Sequence, residues 1–290
     1  MNLTEQNFDN AYYLMLYPDV ANHPAYQGKA NGGWLHWEQF GQYESRQARA
    51  INQPVASTPP HLKHRSAGYA LLQGKGLEIG ALNQPAQLPE PCSIEYADVA
   101  SRETLVQAFP ELQNQLNNFV VVNHYCDLDK QGLSPFANGQ YDFVILNHVI
   151  EHVANPINIV AELFRIVKPN GYIVISAPDK LYTFDKPREL TPFEHLWAEY
   201  QQQVSDVTDE HYLDFLRAVH PNVFNCPPEQ LSIHIANVKN RREHAHVWDS
   251  AHFADFMQTC LSRLNIPATC CFLSEGEQNH FEYFSVWQKL

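Results

Sequence analysis

From Gly76 to the C-terminus, short apolar runs alternate with stretches of helical period. Gly76–Ala81 (GLEIGA), Ser93–Val99 (SIEYADV), Val120–Cys126 (VVVNHYC), Tyr141–His148 (YDFVILNH) and Gly171–Pro178 (GYIVISAP) read as five strands. Ser101 is placed to cap a helix over Glu103–Phe109. Between the fourth and fifth strands, Ile157, Val160, Ala161, Phe164 and Val167 share one face of a helix that Lys168-Pro169-Asn170-Gly171 stops. Strands this apolar, separated by helices, predict a parallel sheet buried on both faces. The alternation breaks near the end. Asp249–Leu264 reads as a helix, followed by two strands, Pro267–Glu275 and His280–Lys289. The connection around Gly276–Asn279 is too short for a parallel crossover, so this pair is antiparallel. The expected class is α/β, with five parallel strands and a closing antiparallel pair.

The first fifty residues carry a different pattern. Phe8, Tyr12, Tyr13, Tyr17, Tyr26, Trp34, Trp37, Phe40 and Tyr43 crowd there, which marks 1–50 as an aromatic-rich helical module. Asp9 is placed to cap a helix over Asn10–Tyr17 that Pro18 stops, and a second helix over Gly33–Phe40 ends at Gly41. Pro54, Pro59 and Pro60 mark residues 51–63 as a linker to a main domain over 64–290. The rings of the module serve either to pack it onto that domain or to meet a sugar or protein partner.

Charge and cysteine content narrow the chemistry. With 32 Asp and Glu against 19 Lys and Arg the net charge is −13, which disfavours nucleic acid, a ligand that needs a basic surface. The six cysteines form no C-x-x-C pair, and the N-terminus lacks the basic-then-apolar pattern of a signal peptide. Apolar runs fall far short of the ~20 residues that cross a bilayer. A cytoplasmic protein with no membrane span is the expectation.

Candidate chemistry gathers at the carboxyl ends of the strands, where open α/β sheets bind their ligands. Leu77-Glu78-Ile79-Gly80 ends the first, Asp98 the second, Asp127 follows the third, and Asn147-His148-Val149-Ile150-Glu151-His152-Val153 follows the fourth. Gly80 lets backbone approach a ligand, and Asp98 can accept a pair of hydroxyls. Together with the strand, helix, Lys168-Pro169-Asn170-Gly171 and strand that follow, these pieces resemble the class I S-adenosylmethionine-dependent methyltransferases. The resemblance runs from Gly74 to Leu290 and is strongest over Tyr141–Pro178. It implies a Rossmann-like sheet and S-adenosyl-L-methionine as cofactor. It also implies a binding set of Glu78, Gly80, Asp98, Asp127, Asn147 and His148, with Asp98 on the ribose, Asp127 at the adenine edge and Asn147 and His148 beneath the sulfonium. The stretch through Pro178-Asp179-Lys180 to His195 is similar to methyltransferases encoded with glycosyltransferases of bacterial surface-polysaccharide pathways. The segment FDNAYYLMLYPDV…HWEQFGQYESRQ likewise resembles a helical repeat found beside such domains. A small-molecule or carbohydrate acceptor is then implied.

The chain departs from the family's E-x-G-x-G-x-G loop, since it reads Glu78-Ile79-Gly80-Ala81-Leu82-Asn83-Gln84-Pro85. Pro85, Pro89 and Pro91 forbid a regular helix between the first two strands. The missing glycines count against a nicotinamide enzyme, whose pyrophosphate needs that turn. They also sustain a second reading, a degenerate methyltransferase fold that binds cofactor or scaffolds partners.

Histidines supply the remaining candidates. His148-Val149-Ile150-Glu151-His152 matches the H-x-x-E-H zinc-protease signature, but that chemistry needs both rings on one helix face and His148 directly follows a strand. Six of the chain's 15 histidines lie in an expected helical insertion over 179–248: His195, His211, His220, His234, His244 and His246. In His244-Ala245-His246-Val247-Trp248 the alternation puts both histidines and Trp248 on one side. These rings belong to an acceptor pocket, to ordinary surface and core, or to a metal site whose ligand set short spacing does not supply. For an acceptor hydroxyl or amine, the candidate bases in order are His195, His246, Asp179 and His148.

Overall fold

The computed structural model of the chain describes residues 3–42, 48, 60–101, 104, 105 and 119–290. Most of the expected linker lies outside these, as does most of the helix expected over Glu103–Phe109. Thr104 and Leu105 are helical, with the Thr104 amide 3.4 Å from Ser101 Oγ.

In the N-terminal module α1 (Asn10–Leu16), α2 (Pro18–Ala21) and α3 (Gly32–His36) surround Phe8, Tyr13 and Val20, all buried. The first helix ends at Leu16, before Pro18 as expected, and Pro18 then opens α2, because the first helical position needs no amide proton. The expected second helix is split, and Trp37–Gly41 continues α3 as a wider turn.

The main domain runs α4 (Arg65–Tyr69), β1 (Lys75–Ile79), β2 (Ser93–Asp98), β3 (His124–Tyr125), α5 (Leu128–Gln131), β4 (Tyr141–Asn147), α6 (Pro156–Ile166) and β5 (Val167–Pro178). The insertion contributes α7 (Phe193–Gln202), α8 (Asp209–Val219) and α9 (Pro228–Arg241). Then come α10 (Ser250–Arg263), β6 (Ala268–Ser274), α11 (Gly276–Asn279) and β7 (Glu282–Lys289). The sheet order is β3-β2-β1-β4-β5-β7-β6, with β1 to β5 parallel and β7 antiparallel to both its neighbours. The order reverses between β1 and β4, so a ligand crevice is expected above their carboxyl ends.

Strands β3 and β5 depart from expectation. The run Val120–Cys126 pairs only through Ala97 with His124 and Asp98 with Tyr125. As an edge strand it leaves Val121 and Tyr125 exposed, so its apolar run does not signal burial. Strand β5 starts earlier than its sequence suggests. Val167, expected on the helix face, already pairs with Tyr141, and Asn170 (φ 62°) takes up the irregularity before Tyr172 pairs with Phe143.

Both faces of the sheet are covered. Leu77, Val144, Leu146, Ile173 and Ile175 pack with Ile157, Val160 and Phe164 of α6 and Phe253, Phe256 and Met257 of α10. Asn155 caps α6 by accepting the Asn158 amide at 3.0 Å, and Pro156 supplies its first residue. On the other face Phe143, Ile145, Val174 and Phe284 meet Tyr69 and Leu72. A Cβ on Gly68 would lie 2.6 Å from Phe284, so a glycine lets α4 lie this close. Truncating a ring such as Phe143 to Ala would cost about 3–5 kcal/mol.

The insertion leaves β5 and returns to the same place. The Lys180 amide donates to the Trp248 carbonyl at 2.9 Å and the Thr191 amide to the Val247 carbonyl at 2.9 Å. The insertion has its own small core of Tyr212, Phe215, Leu216 and Val238.

Candidate functional site

At the end of β1 Gly80 has φ 71°, a left-handed conformation that favours glycine, and an added Cβ would lie 2.6 Å from Val149 Cγ2. Two residues earlier, Glu78 is buried and both its oxygens accept the Ala86 amide, at 3.1 and 3.0 Å. That carboxylate therefore holds the loop that stands in place of a glycine-rich turn. Burial pushes its pKa up to about 7 against the opposing Ala86 bond. Next to it, at the end of β2, Asp98 is 9% exposed and accepts the Val99 amide at 2.7 Å. Burial raises it to about 6.

Beyond β3, Asp127 caps α5 by accepting the Asp129 amide at 3.0 Å and is paired with Arg242 of the insertion at 2.5 Å. Burial would raise this carboxyl, but Arg242 holds it below its ordinary value. Asn147 ends β4 with its side chain fixed at both ends: Nδ2 donates to Tyr69 Oη at 2.9 Å, and Oδ1 accepts Ser176 Oγ at 3.0 Å. His148 takes φ 51°, stacks on Phe281 at 4.8 Å, and sets Nε2 2.8 Å from Glu282 Oε2. Glu282 is fully buried, receives Arg65 through two bonds of 2.6 Å and lies 2.6 Å from His64 Nε2. Arg65 and the two histidines overcome burial and keep it well below the usual carboxylate range.

The turn after His148 carries a buried carboxylate, Glu151, whose Oε1 lies 3.6 Å from His152 Nε2 and 3.8 Å from His244 Nε2. On the far side of each ring, His152 Nδ1 meets the Arg242 carbonyl at 2.5 Å and His244 Nδ1 meets Asp185 at 2.6 Å. This arrangement turns both Nε2 atoms toward Glu151, a set suited to holding a proton or a cation. The two histidines of the H-x-x-E-H match do not share a helix, since His148 precedes the short turn Ile150–His152.

The other candidate bases separate. Asp179 is buried and its carboxylate accepts the Leu181 amide at 2.9 Å, the Ser250 amide at 3.0 Å and Ser250 Oγ at 2.7 Å, so it anchors the start of α10. His195 is exposed and His246 is 1% exposed, and their rings come within 6.4 Å of each other beside His211.

A profile of the methyltransferase domain family matches residues 59–259. The chain belongs to this methyltransferase family. Three solved structures are similar in fold. A SAM-dependent methyltransferase from Aquifex aeolicus is 14% identical with a TM-score of 0.41, over 81% of this chain and 95% of that one. The CurJ carbon methyltransferase is 13% identical with a TM-score of 0.38 over 74% of this chain. The trans-methyltransferase CalH, in complex with SAH, is 14% identical with a TM-score of 0.38 over 74% of this chain. The chain spans about half the length of the last two, 48% and 51%. No curated protein matches in sequence. No helix among the described residues is long and apolar enough to cross a membrane.

The methyltransferase sheet brings Glu78, Gly80, Asp98, Asn147 and His148 to one set of strand ends. Sequence reasoning missed Arg65, Tyr69 and Glu282, which fix His148 and Asn147 from outside that set. Glu282 left one signal: a charged residue directly before the mostly apolar run Tyr283–Trp287.

Proposed function

We propose that this methyltransferase transfers a methyl group from S-adenosylmethionine to a hydroxyl of a small or carbohydrate-like acceptor held beneath the insertion. The observation that carries the reading is the pair Gly80 and Asp98 on adjacent strand ends. At Gly80 a missing side chain leaves a turn that a Cβ would crowd, and on the neighbouring strand Asp98 places a buried carboxylate. These residues fit an adenosyl ligand. Asp98 would accept the ribose hydroxyls, Asp127 would meet the adenine while shared with Arg242, and Glu78 would hold the loop whose amides receive the methionine carboxylate. When bound, the cofactor supplies an electrophilic methyl for in-line displacement. Catalysis by the chain is then mainly positioning.

His148 would take the acceptor's proton. Its Nε2 is committed to Glu282, so the proton on that nitrogen is fixed and Nδ1 keeps its lone pair. Glu282, held by Arg65, stabilises the imidazolium that results, the logic of a base oriented by a third group. Asp179 is buried with three hydrogen bonds already on its carboxylate, and buried His246 is shielded from an acceptor. An acidic insertion, with eleven Asp and Glu against seven Lys and Arg from Asp179 to Trp248, disfavours a polyanionic acceptor. Calorimetric titration with S-adenosylhomocysteine tests the reading. Asp98→Ala should weaken binding by about 1.5–3 kcal/mol, ten- to hundredfold. If folded wild-type protein gives no heat of binding, the chain is a scaffold with a methyltransferase fold.

A further inference from the structure

Away from the strand ends, four side chains from three separate pieces of the insertion converge. His195 and Glu199 stand one turn apart on α7, His211 comes from α8, and His246 from the extended segment before α10. One donor atom of each lies within 4.8 Å of the others. His195 Nε2 is 3.1 Å from His211 Nε2 and 3.2 Å from Glu199 Oε1, and His211 Nε2 is 3.6 Å from that same oxygen. Donors held at about 2.0–2.1 Å around one tetrahedral ion lie roughly 3.3 Å apart. The three separations bracket that value.

The surroundings point the same way. His211 Nδ1 lies 3.1 Å from Thr208 Oγ1, and His246 Nε2 donates to the Val153 carbonyl at 3.0 Å. Outer contacts of this kind fix the tautomer of a ligating histidine. With its proton on Nε2, which stands 3.9 Å from Glu199 Oε2, His246 has Nδ1 to offer. That nitrogen and Glu199 Oε2 are both buried without a hydrogen-bond partner, on side chains 1% and 7% exposed as residues. Orphaned polar atoms of this sort are costly unless something binds them.

We infer that His195, Glu199, His211 and His246 form a binding site for one divalent transition-metal ion of the Zn²⁺ type. Three imidazoles and one carboxylate suit such an ion, whereas Mg²⁺ and Ca²⁺ prefer oxygen donors throughout. Four protein donors close the coordination sphere, so the ion is structural: it ties α7, α8 and the segment before α10 together. It also reaches the turn after β4, because the amides of Ala245 and His246 both donate to the Glu151 carbonyl, at 2.8 and 3.0 Å. Exposed His195 gives the ion its way in.

The test uses the full chain, stripped with a chelator and titrated with Zn²⁺ by calorimetry and with Co²⁺ by visible absorption. One tightly bound ion per chain, a higher melting temperature and the intense bands of four-coordinate Co²⁺ are expected. His195→Ala, on an exposed face, and Glu199→Gln should keep the wild-type circular dichroism and bind Zn²⁺ at least tenfold more weakly. His152→Ala, in the neighbouring cluster, should bind it as wild type does. The proposal is overturned if the stripped protein takes up no Zn²⁺ at micromolar concentration, or if His195→Ala and Glu199→Gln bind it unchanged. It also falls if His152→Ala loses the ion while His195→Ala retains it.

Discussion

Two buried carboxylates, Glu151 in the turn that follows β4 and Glu199 on α7, sit among histidines, and their neighbours treat them differently. Around Glu151 the Nδ1 atoms of His152 and His244 are held by acceptors of the protein itself, the Arg242 carbonyl and Asp185. Asp185 is in turn paired with buried Arg188 at 2.9 Å. Burial disfavours charge on His244, yet Asp185 holds its pKa above the ordinary value, and Asp185 itself stays low. Around Glu199 there is no such second acid among the described neighbours. Burial and mutual repulsion drop His211 to about 4 and His246 well below its usual range, while burial lifts Glu199 to about 7. One cluster ties its histidines to acceptors of the protein and leaves only the Glu151 oxygens without a hydrogen bond, whereas the other presents lone pairs on a histidine as well as on its carboxylate, which an external cation would satisfy.

The sharpest way to break this contrast is to remove one acid from each cluster and measure urea unfolding of the metal-free protein. Asp185→Ala strands Arg188 and His244 in the interior, and breaking a buried pair costs about 3–5 kcal/mol. The low end, about 3 kcal/mol, is expected because Asp214 still faces Arg188 at 2.8 Å. Glu199→Gln keeps the shape and removes a carboxylate that burial already opposes, so its cost should stay under about 1 kcal/mol. Equal costs for the two variants would mean that the clusters are built alike.

That contrast also explains what sequence can and cannot reveal. The central strands were legible because β1, β4 and β5 are buried on both faces, and a run such as Tyr141–Asn147 has few other uses. That Gly80 and Asp98 lie at neighbouring strand ends was legible because topology alone puts those ends together. The clusters were not, since His195 and His246 are 51 positions apart and meet only through the path of the insertion. Alternation at His244 and His246 was visible, but all five residues through Trp248 are buried, so it did not separate an inside from an outside. Asp127 looked like a free ligand-facing acid because nothing local announces its partner, Arg242, across 115 residues.

A smaller effect sharpens the comparison through pH. Glu78 and Asp98 resemble Glu199 in being acids raised by burial, and a raised acid binds its proton more tightly in the folded state. Between the unfolded value of 4.5 and the folded value of about 7, the Glu78 contribution to stability declines as pH rises. The opposite sign holds for Asp185, whose contribution is present above 3.8 and is lost as pH falls through its lower folded value. Glu78→Gln should therefore flatten the decline between about pH 4.5 and 7, by roughly 1–3 kcal/mol across that window. Denaturant midpoints at several pH values would read it, and a variant whose profile overlays the wild type would remove Glu78 from the account.

The smallest expected effect concerns the N-terminal module, which offers a third buried histidine with yet another solution. His36 is buried with Nδ1 2.9 Å from Tyr13 Oη, amid rings that pack on one another, such as Phe8 on Trp34 at 5.4 Å and Tyr13 on Trp37 at 5.9 Å. Here a tyrosine hydroxyl and aromatic edges meet the ring, where His244 has Asp185. The module packs around its own apolar centre of Phe8, Tyr13 and Val20. Every contact described for the cofactor end and for both clusters comes from residues 64 to 282. Deleting residues 1–50 should accordingly shift the affinity for S-adenosylhomocysteine by less than about twofold, under roughly 0.4 kcal/mol. Solubility is the property at risk, because rings such as Phe40, 47% exposed, meet solvent or a partner. A truncated protein that keeps its melting temperature yet loses cofactor affinity tenfold would show that the module contributes to the site, and that the boundary after residue 50 cuts through a functional unit.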